Sequence, residues 1–179
     1  GLIFDQSILD NAVLSIKTEY YNRGLYSVII TPVVTQLERN RVNIEIQISE
    51  GSIAKIAAID FIGNKIYSTN QLRKEMYLTT GNWMSWWYKD NQYSSDKLAG
   101  DFEKIRAFYL NNGYIDFRLN SAQIQLSPDK QSVFITGNII EGEQYRFKSI
   151  QLAGDYKDIP PAVLTPLITV KPGQIINQE

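Results

Sequence analysis

Apolar and polar residues alternate with two periods along the chain, and each change of period predicts a change of element. Leu9, Val13, Ile16 and Tyr20 step by four, three and four, which is one apolar stripe of an amphipathic helix. Leu98, Phe102, Ile105 and Tyr109 take identical steps. Asp5 or Ser7 ahead of the first stripe, and Ser94 or Ser95 ahead of the second, suit N-caps. Period two follows: Val42, Ile44, Ile46 and Ile48 alternate with Asn43, Glu45, Gln47 and Ser49, which predicts a half-buried strand.

These patterns occur twice in one order. Gly24 and Gly113 lie 89 residues apart, each four residues after a tyrosine and placed to end a helix in a left-handed conformation. Shifted by 91, the alternating strand returns as Val133, Ile135, Gly137 and Ile139. Both strands end in Glu-Gly, at Glu50-Gly51 and Glu141-Gly142, which read as strand-ending turns. IDFIGN at 59–64 then matches IQLAGD at 150–155. Several landmarks in one order mark a true repeat.

One complete unit results, residues 53–143. It is read as strand (Lys55–Ile62), helix (Thr69–Met76), a long aromatic connection, helix (Ser95–Asn111), strand (Tyr114–Leu126) and strand (Ser132–Glu141). Residues 1–52 are the second half of an equivalent unit, and residues 144–179 are the first half of another, with a strand at Tyr145–Leu152 and a short helix near Pro161–Leu167. The chain thus reads as cut from something larger, and a half-unit without its first strand should expose apolar helix and sheet. The fold class is α+β, tandem β-α-α-β-β units, each a three-stranded mixed sheet covered by two helices. With the third strand central, the first and third run parallel and the second lies on an edge. Pro32, in the second strand of the first unit, fits an edge, because proline has no N–H for a ladder. At its counterpart Ser121 the alternation of Ile115, Phe117 and Leu119 changes phase to Ala122, Ile124 and Leu126, predicting a β-bulge around Asn120–Ser121.

Composition narrows the chemistry. Lys and Arg number 18 and Asp and Glu 19, scattered without runs, so the overall composition makes no electrostatic case for nucleic acid or an anionic membrane. Cysteine and histidine are both absent, which removes disulfides, thiol nucleophiles, the usual zinc ligands and Ser/His dyads. A carboxylate-based hydrolase remains an alternative, yet no spacing pairs Glu19, Glu50, Asp60 or Glu141. A ring-forming secretion or structural repeat is a third reading. Zero cysteine fits an oxidising compartment. No apolar run approaches a transmembrane helix, and Gly1-Leu2-Ile3-Phe4 is no signal peptide.

YYNRGLY, VVTQLERNRVNIEI, IDFIGN, SDKLAGDFEKIRAFYLNNGY, LSPDK and EGEQY span nearly the whole chain. In this order they resemble the POTRA domains of the outer-membrane assembly family, most closely the branch that forms the central subunit of the β-barrel assembly machine. The aromatic insertion resembles the third such domain, so the chain is similar to the end of the second, all of the third and the start of the fourth. The resemblance implies a non-enzymatic scaffold without cofactors, at the periplasmic face of the outer membrane of a Gram-negative bacterium. The partners it implies are a BamB-like lipoprotein, unfolded outer-membrane protein segments, neighbouring POTRA units and a C-terminal membrane barrel absent from these residues. Contact is expected by β-augmentation along the edge strand, at Asp116, Phe117, Arg118, Leu119, Asn120, Ser121, Ala122, Gln123 and Ile124.

All three tryptophans, Trp83, Trp86 and Trp87, lie in NWMSWWYKD. A long connection between helices is expected to fold its aromatics onto its own core. The alternative is an exposed aromatic surface that contacts a protein partner.

Overall fold

The computed structural model describes residues 4–154 and 158–177. The ends of the chain, the last residue of IQLAGD (Asp155) and the first three residues of the Gly1–Phe4 segment lie outside them. In chain order the elements are α1 (Gln6–Asn22), β1 (Ile29–Leu37), β2 (Arg41–Ser49), β3 (Lys55–Ile62), α2 (Thr69–Lys74), α3 (Ser85–Tyr88), α4 (Ser95–Asn111), β4 (Arg118–Leu126), β5 (Ser132–Ile140) and α5 (Pro161–Leu164), with a 3₁₀ turn at Thr165–Leu167.

Local chemistry explains the boundaries. Asp5 caps α1 by accepting from the Ser7 amide, and Ser94 caps α4 by accepting from the Lys97 amide. Ser68 and Gln71 form a reciprocal capping box at α2, which lets so short a helix start cleanly. Two differences from the sequence reading are small: α2 ends at Lys74, and the aromatic connection contains a one-turn helix, α3.

β1 and β2 form an antiparallel pair; the other sheet has the order β3-β5-β4, with β3 parallel and β4 antiparallel to the central β5. The expected strand order and bulge are both present, the bulge as a register shift between Leu119 and Ser121. A second shift, in β3 between Ile56 and Ala58, goes beyond the sequence reading. It brings Ile56, Ile59 and Phe61 to one face despite their mixed spacing. On β5, Val133, Ile135 and Ile139 are buried as the alternation predicts, while Gly137 leaves room for the Phe61 ring, whose edge would lie 3.0 Å from an added Cβ. Leu72 of α2 and Leu98, Ile105 and Tyr109 of α4 complete this core.

Outside it the chain is barer. The β1–β2 hairpin exposes Val33, Val34, Leu37, Val42, Ile44 and Ile48, so the half-burial expected from its alternation is not realised. A hairpin cannot bury a face alone, and α1 contributes Leu9 as its one buried side chain. The strand expected at Tyr145–Leu152 is likewise a correction: its ladder consists of one bridge, Arg146 to Ile175. A strand needs a neighbour, and the described residues hold no counterpart of β5 to lie beside this segment.

Candidate functional site: a sheet edge and a repeated joint

β4 presents its outer backbone edge along most of its length, and its side chains from Asn120 to Leu126 are exposed. The expected contact residues divide into three groups. Arg118, Leu119, Asn120, Ser121, Ala122, Gln123 and Ile124 lie in the strand, with Asn120 at the bulge and Leu119 packed against the core. Ser121 Oγ accepts from the Asn138 side-chain amide at 2.8 Å, tying the bulge to β5. Asp116 and Phe117 are corrections, because they belong to a turn closed by the Phe117 amide on the Tyr114 carbonyl. Phe117 is buried and stacks on Tyr109 with centroids 4.2 Å apart, while Asp116 accepts from the Tyr145 hydroxyl at 2.8 Å. A strand cannot begin before its residues leave the core.

The Tyr-xxx-Gly and Glu-Gly motifs meet in space. Glu141, buried at the end of β5, accepts from the Tyr109 hydroxyl at 2.7 Å and from the Lys65 and Ile66 amides at 2.8 and 3.1 Å. Burial first, and then the bond to Glu141, push the Tyr109 phenol above its ordinary range. In the preceding repeat Tyr20 donates to Glu50 at 3.1 Å, the same pair at the same landmarks, and this bond raises the Tyr20 phenol too. The strand-ending turn expected at Glu141 is therefore also a latch joining the end of α4, the end of β5 and the loop after β3. Asp101 stands outside the sequence reading: buried on α4, it accepts from the Tyr77 and Leu78 amides at 2.7 and 2.8 Å. Its signal in the sequence is a carboxylate on the apolar stripe itself, three residues after Leu98 and four before Ile105.

A joint repeats as well. The Gly24 carbonyl accepts from the Ala54 amide at 2.8 Å, and the Gly113 carbonyl accepts from the Tyr145 amide at 2.8 Å. Bridges from Lys55 to Gln92 and from Arg146 to Ile175 follow at equivalent places. Both glycines have positive φ, +83° and +86°, and a Cβ on them would lie 2.5 Å from the Tyr93 carbonyl oxygen and 2.9 Å from that of Tyr145. The first joint adds a tyrosine cluster, with Tyr26 between Tyr21 and Tyr93 at centroid distances of 5.2 and 5.9 Å.

The tryptophans do not fold onto the core. Trp83, Trp86 and Trp87 are 82%, 75% and 70% exposed, at and around α3, and Ser85 is the buried residue of that turn. Indoles on one short turn cannot all face inward when its buried side is spent on a serine.

A tandem mixed α+β fold, three strands with the third in the middle and helices packed against them, defines the class. The family model described as the surface antigen variable number repeat, POTRA, matches residues 1–51 and 54–142. The chain belongs to the POTRA family. Among curated relatives, the outer membrane protein assembly factor BamA of Neisseria meningitidis serogroup B is 43% identical over 171 residues, covering 96% of this chain and 22% of that protein. BamA of Buchnera aphidicola is 28% identical over 181 residues, covering 100% of this chain and 29% of that protein. The chain thus spans under a third of the length of these relatives. A crystal structure of Haemophilus influenzae BamA POTRA domains 3–5 shares the fold, with a TM-score of 0.50 at 18% identity, covering 99% of this chain and 66% of that one.

Proposed function

We propose that the chain is a periplasmic scaffold segment of an outer-membrane β-barrel assembly factor, and that it holds extended protein segments by adding them as a further strand to β4. Family membership, together with relatives named as outer membrane protein assembly factors, supports the assembly role. The observation that carries the binding site is the open edge of β4, whose other side is paired to β5. An incoming segment satisfies unpaired N–H and C=O groups there, each bond contributing roughly 0.5–1.5 kcal/mol net. Binding by a few such bonds is weak and tolerant of sequence, which suits clients in transit. The bulge at Asn120 twists the edge and limits uncontrolled pairing.

The occupants in this reading are unfolded outer-membrane protein segments and a BamB-like lipoprotein, with a membrane barrel elsewhere in the same protein. The unit boundaries are read as 1–52, 53–143 and 144–179, and the module as non-enzymatic. The buried acids support the last point: Glu141 and Asp101 spend their oxygens on backbone N–H groups and hold the fold together.

The chain has no cysteine, so introduced thiols report cleanly. With a cysteine at Gln123 and cysteines scanned along an extended client peptide, strand addition gives disulfides at alternate peptide positions, because side chains alternate across a pleat. Crosslinking without that alternation contradicts strand addition at β4.

A further inference from the structure

The turn that carries the tryptophans is closed by its own hydrogen bonds and leaves its indoles exposed. The Asn82 amide donates to Ser85 Oγ at 2.8 Å, the Met84 amide to Asn82 Oδ1 at 2.8 Å, and the Lys89 amide to the Ser85 carbonyl at 2.8 Å. The Tyr77 hydroxyl donates to the Tyr88 carbonyl at 3.0 Å, fastening the turn to the body of the unit. Trp86 and Trp87 meet edge to face at 5.4 Å, and with Trp83, Met84 and Tyr88 they surround a shallow apolar hollow. The backbone of the turn is thus satisfied by partners within the unit, and the indoles take no part in holding it.

Cations stand beside this apex. Lys97 and Lys104 lie over the Tyr77 ring, with their ammonium groups 5.1 and 6.0 Å from its centroid, and Lys89 closes α3 in a left-handed conformation. Lys104 is paired with the buried Asp101, whereas Lys89 and Lys97 take part in none of the ion pairs among the described residues. Indole rings are amphipathic and settle at the headgroup level of a bilayer, and lysines near an anionic surface add about 1 kcal/mol each.

We propose that the Trp83–Tyr88 turn is a membrane-interface contact, which sets its indoles into the headgroup layer of an anionic phospholipid surface with Lys89 and Lys97 against the phosphates. The contact is separate from β4 and holds the unit against the bilayer while the strand edge stays free.

All three tryptophans sit in this turn, so intrinsic tryptophan emission of the 179-residue chain reads it alone. Vesicles of phosphatidylethanolamine with phosphatidylglycerol are expected to shift the emission to the blue, shield it from acrylamide and carry the protein into the pellet. Phosphatidylcholine vesicles at the same salt are expected to do much less. Lys89→Asn with Lys97→Gln should weaken the anionic binding roughly tenfold or more at low salt. Trp86→Gln with Trp87→Gln should abolish pelleting while Trp83 still reports and circular dichroism stays unchanged. Emission that ignores both vesicle types, binding equal on both, pelleting that survives loss of the indoles, or a shift produced only by an added protein overturns the proposal.

Discussion

A single hydroxyl shows how the unit is closed. Tyr109 is fully buried, stacks on Phe117 and donates to Glu141, which also holds two backbone amides of the loop after β3. Its phenol is raised above the unfolded value, so the bond contributes fully below about pH 10 and is lost as pH climbs from there towards the folded value. Thermal unfolding followed from about pH 8 to about pH 11 should therefore show stability falling across the upper part of that range. Tyr109→Phe should cost roughly 1–2 kcal/mol at neutral pH and fall less steeply in alkali. Tyr26, Tyr67 and Tyr93 are raised mainly by burial and keep a residual slope. An alkaline slope identical in the variant would remove Tyr109 from this role. Only half of this residue's part is legible in the sequence: the stripe Leu98, Phe102, Ile105 and Tyr109 predicts that its ring packs, but nothing near position 109 points to Glu141, 32 residues on.

Among elements, β5 is buried on one face and paired on both edges, whereas β1 and β2 pair with each other alone and expose most of both faces. Amide hydrogen exchange should be slowest across Ser132–Ile140 and far faster through Ile29–Ser49, since local opening of the hairpin breaks few buried contacts. Comparable protection in the two regions would mean that something beyond the described contacts covers the hairpin. Strand order is open to inference because Pro32 and the phase change at Ser121 both mark an edge. The start of β4 is not, since Phe117 alternates correctly with Ile115 and Leu119 yet belongs to the core. Period two describes which side a residue faces, and a turn packed into the core can imitate it over three residues.

At the scale of the whole molecule, successive units are joined through backbone, and the glycines that end α1 and α4 are what let them approach. Gly24→Ala faces both a left-handed φ, which costs roughly 1–2 kcal/mol, and a carbonyl at 2.5 Å that must move. Exchange at the Ala54 and Tyr93 amides should speed up, and small-angle scattering should show a broader range of shapes. Gly100→Ala, inside α4 with open space around it, should instead stabilise the chain by roughly 0.5–1 kcal/mol. Equal behaviour of the two variants would deny the joint its dependence on Gly24.

What the residues determined by themselves was everything set by near neighbours: two helical stripes, alternating strands, left-handed glycines, a bulge and their recurrence in one order. Such features depend on local sterics and on which face is apolar, and both are written along the chain. The tertiary structure alone decided which of these features touch. It brought Glu141 to Tyr109 and the loop after β3, set Ala54 against Gly24, drew Asp116 and Phe117 out of the edge strand, and left three indoles in solvent. Contacts across tens of residues follow from how helices and sheet pack, and no periodicity records that packing.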